Sequence, residues 1–181
     1  MKSTFWPATV VVGALLAGSA YACIEALTLM DMVAKTDVAV RGTVTAVRTV
    51  TYTPPGDDRQ IFTLVTVQGE DLYSGQPRTI EAGFVGGSYG ADSMLVSSMP
   101  APSEYRIGNK VVLFSAPVAG WGPVERCVYT AMGGIFREIS TRNGPVVLGK
   151  GEGFAIDPNT SLADLRAGIA AALERKAQEA R

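Results

Sequence analysis

The chain has 181 residues, 16 Lys and Arg against 17 Asp and Glu, a formal net charge of −1, two cysteines and no histidine. Without histidine there can be no Ser-His-Asp or Cys-His nucleophile system and no His-based zinc site. Two cysteines are too few for a Cys₄ site, and a near-neutral chain with no Lys/Arg cluster does not suit nucleic acid.

Residues 1–22 read as an export signal. Lys2 gives the positive start, Val10–Ala17 the short apolar run, and Ala20-Tyr21-Ala22 an A-x-A cleavage site. Cleavage would leave 159 residues, 23–181, as a single domain, and loss of Lys2 would take the net charge to −2. The expected location is the periplasm or the extracellular space. No later apolar run has transmembrane length.

Glu25–Lys35 carries Leu27, Met30 and Ala34 at helical spacing, which predicts a short helix ended by Thr36-Asp37. Period-two alternation with β-branched residues then predicts a long strand over about 38–52. Turn chemistry at 53–59 leads to a second strand from Ile61 and a third over 78–85. Residues 86–108, with four glycines and two prolines, read as a long excursion. Further strands are expected over 109–115, 126–132, 134–139 and 146–148. Ser161 and Asp164 form a capping-box pattern, and Leu162, Leu165, Ile169 and Leu173 continue as an amphipathic helix over about 161–177.

These elements predict a mainly β fold: a small antiparallel OB-like barrel with a short N-terminal and a longer C-terminal helix. Gly42, Gly69 and Gly133 supply the kinks that barrel closure requires. Glu70-Asp71 and Asp57-Asp58 read as solvated charge. Neither pair fits an EF-hand loop, so no metal or other cofactor is expected.

Cys23 directly follows the cleavage site. An oxidising compartment permits a disulfide to Cys127, closing a loop of about a hundred residues that contributes roughly 4–5 kcal/mol in the chain-entropy picture. Lipidation of Cys23 is the rival, and would place the protein at a membrane. Ala20-Tyr21-Ala22 suits A-x-A cleavage better than a lipobox.

With Cys23 as first residue, the order of features resembles the netrin-like N-terminal domain of tissue inhibitors of metalloproteinases. The shared elements are a terminal Cys, a short helix, and a strand like Lys35-Thr-Asp-Val-Ala-Val-Arg-Gly-Thr-Val44. Ile61–Val67, Tyr105–Phe114 and Gly133–Phe136 also resemble elements of exported bacterial proteins of unknown function. The inhibitor resemblance implies that the Cys23 amine and carbonyl chelate the zinc of an exported metalloprotease, that Ile24 enters its specificity pocket, and that Cys127 anchors the terminus. The family's Cys-x-Cys start is absent, since the chain reads Cys23-Ile24-Glu25. The expected function is therefore non-catalytic binding of a protein partner, with Cys23 and Ile24 as contact residues. The alternative is a binding or adaptor module that uses loops 53–59 and 86–108, its disulfide purely structural.

Overall fold

The computed structural model describes residues 27–179. The signal segment, Cys23 and Ile24 lie outside the described residues. Among the described residues ten strands and two α-helices run in the order α1 (Leu29–Lys35), β1 (Val38–Tyr52), β2 (Gln60–Asp71), β3 (Pro77–Val85), β4 (Gly87–Tyr89), β5 (Asp92–Met94), β6 (Lys110–Pro117), β7 (Arg126–Val128), β8 (Ile135–Thr141), β9 (Gly144–Val147), β10 (Thr160–Ser161) and α2 (Leu162–Glu179).

Strands β1, β2, β3, β7 and β6 close into a five-stranded barrel, because β1 pairs with both β2 and β6. All these pairings are antiparallel except the short parallel contact of β3 with β7 at Gly83 and Cys127. After the β1–β2–β3 meander the chain returns over residues 86–109 to lay β6 beside β1, a Greek-key crossover. The expected irregular excursion is thus the crossover connection, and it carries the β4–β5 hairpin that the sequence pattern missed. Residues 129–132, expected to extend a strand, instead turn through Thr130 and a 3₁₀ turn over Ala131–Gly133.

Alternation decides what each strand buries. On β1 and β6, Val38, Val40, Val44, Val111 and Leu113 point into the barrel with Val65, Val67, Ile80 and Phe84. Their neighbours Ala39, Val112 and Phe114 face outward, where the helices cover them with Met32, Val33, Leu165 and Ile169. The helical stripe expected on α2 is therefore core packing. On α1 the buried side chains are Met32 and Val33, not Met30, which is 38% exposed. That helix is capped by Thr28, whose side chain accepts from the Asp31 amide while Asp31 accepts from the Thr28 amide. Ser161 caps α2 in the expected way, its Oγ accepting from the Asp164 amide at 3.1 Å.

Two charged arrangements correct the expectation of solvated carboxylates. Asp71 is buried at the end of β2, accepting from the Tyr73 amide at 3.1 Å and the Ser74 hydroxyl at 3.0 Å, and so shapes the turn into β3. Glu70 accepts two bonds from Arg166 at 2.6 and 2.7 Å, tying α2 to the barrel. Beside it, the Glu138 side chain is 1% exposed and takes both of its bonds from Arg41, at 2.5 and 2.7 Å. Removing one partner of such a pair strands the other.

Arg41→Met should therefore lower unfolding free energy by about 3 kcal/mol, and Arg41→Met with Glu138→Leu should recover most of that loss, as read by urea denaturation. Tyr73 makes a second stability prediction. Burial pushes its phenol up to about 12, although its 2.6 Å hydrogen bond with Thr36 works in the opposite direction. The folded state holds this proton more tightly than the unfolded chain, whose phenol titrates near 10. Stability should fall as pH rises from 10 towards 12, by at most about 1.4 kcal/mol per unit from this residue, and Tyr73→Phe should flatten that slope.

Candidate functional site

An open cleft of about 790 Å³ lies at one end of the barrel. That volume lies in the range of small-ligand sites, and the lining is predominantly apolar. Five segments build it. The β1–β2 turn supplies Asp58 and Arg59, and the start of β2 supplies Gln60. The crossover supplies Met94, Val96 and Ser98. The β6–β7 loop supplies Trp121, and Cys127–Met132 form the remaining wall beside Val85.

Local physics sets each wall. Trp121 stands between Gly120 and Gly122, both with positive φ, and a Cβ at Gly122 would lie 2.4 Å from the Tyr52 ring. Only glycine lets that loop close over β1, which places the indole 5.2 Å from the Phe62 ring. On the opposite wall Thr130 and Ala131 hold φ of 52° and 50°, an unusual consecutive left-handed pair for residues with side chains. The Met132 amide then donates to the Ser98 carbonyl at 2.9 Å, joining this wall to the crossover. Lys150 braces the same joint from behind. Its ammonium donates to the Met132 carbonyl, pairs with Glu104 at 2.5 Å and lies 5.4 Å from the centre of the Phe136 ring. Burial pulls the Lys150 pKa below its ordinary value, and Glu104 opposes that shift.

The rim is mixed in charge. Arg59 pairs with Asp92 at 3.1 Å and lies over the Tyr89 ring at 5.5 Å. Leu95, between two cleft-lining residues, is 88% exposed. A large apolar side chain left in water beside an apolar hollow is what a contact surface offers.

Of the residues expected to act, Cys127 is placed in the cleft wall. It is half-buried, and its thiol donates to the Ala116 carbonyl at 3.6 Å. Burial raises its pKa, so the neutral thiol dominates at physiological pH and this is no activated nucleophile. Cys23 and Ile24 lie outside the described residues. The two loops proposed as an alternative surface, 53–59 and 86–108, do meet at the cleft. Sequence pattern alone marks Trp121 as part of a turn and Thr130–Met132 as strand. The one available signal was an aromatic flanked by glycines in a turn.

Among the described residues no cluster of three or more His, Cys, Asp or Glu could hold a metal, and no helix is long and apolar enough to cross a membrane. No protein family, curated protein or solved structure matches this chain.

Ala131→Gly should stabilise the fold by about 0.5–1 kcal/mol, because glycine removes the left-handed penalty that alanine carries. A rise in melting temperature checks it, and a fall would show that the wall is unstrained.

Proposed function

We propose that this chain is an exported, non-catalytic binding protein of OB type, and that it recognises a protein partner at the mouth of the cleft. One observation carries the reading: loops 53–59, 86–108 and 118–125 converge on a single apolar hollow of ligand size. In OB-type barrels the loop after the first strand and the loop between the fourth and fifth border the ligand face. Here those loops supply Asp58, Arg59 and Trp121. The five-stranded Greek-key order also supports that fold type. An apolar floor with Leu95 at its edge suits an apolar side chain of a partner. The mixed rim of Asp58, Arg59 and Asp92 does not suit a phosphate backbone.

A second reading rests on the place of Cys127. A disulfide to Cys23 would bring the mature terminus to the same mouth. By the resemblance to metalloproteinase inhibitors, the Cys23 amine and carbonyl then chelate the zinc of an exported protease while Ile24 enters its pocket. This reading requires a free terminus, and an acylated Cys23 would turn the chain into a membrane-anchored protein instead.

The two readings separate experimentally. Val96→Asp and Met132→Asp should each weaken binding of anilinonaphthalene sulfonate, an apolar probe, about tenfold with unchanged circular dichroism. Unaltered probe binding would sink the cleft reading. Adding one residue before Cys23 should abolish inhibition across a panel of exported zinc metalloproteases if the chelation reading holds. Inhibition that survives the extension would end it.

A further inference from the structure

Behind the wall that Lys150 braces lies a second concavity of about 470 Å³, which shares only Met132 with the lining of the cleft. Three parts of the chain build it. The crossover contributes Met99 and Glu104, β8 contributes Arg137, and the segment after β9 contributes Leu148 and Lys150.

Backbone hydrogen bonds fix these parts in place. The Leu148 amide donates to the Arg137 carbonyl at 2.8 Å, and the Lys150 amide donates to the Ile156 carbonyl at 3.0 Å. On the crossover side the Glu104 amide donates to the Ala101 carbonyl at 2.8 Å. The Asn109 side-chain amide donates to the carbonyls of Ser103 and Glu104 at 2.8 and 3.1 Å. A site already held this way loses little freedom on binding.

Its charges do not cancel. Glu104 uses both carboxylate oxygens within the protein: one pairs with the Lys150 ammonium at 2.5 Å, and the other accepts from the Ala101 amide at 3.0 Å. Arg137 is only part-exposed, yet among the described residues its guanidinium has no ion pair or hydrogen bond. Its N–H groups are open to water, since no buried side-chain nitrogen or oxygen among the described residues lacks a partner. Two cations and one carboxylate line the concavity, which leaves it one net positive charge. That charge sits on a planar group whose parallel N–H bonds match a carboxylate.

We propose that this concavity binds a small organic monocarboxylate, with the carboxylate on Arg137 and the apolar body against Met99, Met132 and Leu148. A single negative charge matches the single unpaired positive one. A dianion such as inorganic phosphate brings a second charge towards Glu104, which disfavours it. The thioether and aliphatic side chains favour a ring or short chain over a bare anion such as formate. Lys150 is a positioning residue here, because it holds Glu104 and the Met132 carbonyl and so keeps Arg137 without a carboxylate of its own. The site is separate from the cleft and stands whether or not a protein partner docks there.

Phenylacetate and its neutral counterpart phenylacetamide, titrated by calorimetry into the whole chain, test the proposal. Phenylacetate should bind saturably and at least about tenfold tighter than the amide, because only the acid pairs with the guanidinium. Arg137→Met keeps an apolar stem and breaks no ion pair or hydrogen bond of the side chain. It should erase the preference for the acid with circular dichroism unchanged, and Arg137→Lys should retain part of it. Val96→Asp, on the cleft side of the wall, should leave phenylacetate affinity unaltered. No saturable phenylacetate binding, equal affinity for acid and amide, or a preference that survives Arg137→Met would overturn the proposal. Binding lost in Val96→Asp but kept in Arg137→Met would put the ligand in the apolar cleft and overturn it as well.

Discussion

Strand β1 carries two partners at once over Val40–Thr43, pairing with β2 on one edge and β6 on the other. It can do so because Gly42 and Gly69 stand opposite each other where the strands approach most closely. A Cβ on Gly42 would lie 2.2 Å from the Gln68 carbonyl oxygen, and one on Gly69 would lie 2.0 Å from that of Arg41. Two residues on, the register of β1 slips between Val44 and Ala46, leaving Thr45 as an extra residue. A bulge of this kind bends and twists the strand. Beyond it, β1 leaves β6 and continues with β2 alone to Tyr52. The barrel closes at the glycine pair, and the strands splay at the other end to leave a mouth.

The segments that line the cleft gather at that splayed end. The parallel contact between β3 and β7 amounts to one residue pair, Gly83 with Cys127, after which the chain turns away through Thr130 and Ala131. The gap this leaves is roofed by the crossover, held in place by the Met132–Ser98 hydrogen bond and by Lys150 with Glu104. The helices take the opposite role. They cover the outer face of β1 and β6, and Arg166 locks α2 to Glu70 next to the buried Arg41–Glu138 pair. One side of the barrel is consolidated by packing and paired charge, while at the mouth Trp121 and Val85 pack on Phe62 and Leu64 and still line the cleft.

The cleft mouth combines an apolar lining with a few charged rim groups. The thiol in the wall is kept neutral by burial, and the charged rim groups are of both signs. On the binding reading proposed above, affinity would come from excluding water from Trp121, Met94, Val96 and Leu95, and specificity from where the few rim charges fall.

The sequence by itself determined the period of nearly every barrel strand. Alternation of β-branched residues over Val38–Tyr52 reflects burial on one face, and that physics is local. The same holds for the Leu165 and Ile169 stripe and the Ser161 cap of α2 and for the placing of both candidate loops, whereas Gly42 and Gly69, expected as kinks, permit close strand approach, and Gly133, expected as a third, lies in the 3₁₀ turn. Tertiary structure alone decided which of those loops meet, because their convergence depends on a crossover of more than twenty residues whose path no local pattern encodes. It also decided the fate of Asp71 and Glu138, whose burial is offset by partners up to 97 residues away. The left-handed turn at Thr130 and Ala131 has no residue signature, since neither is glycine or asparagine. The Met132–Ser98 hydrogen bond holds this turn, and with it the wall of the cleft, to the crossover.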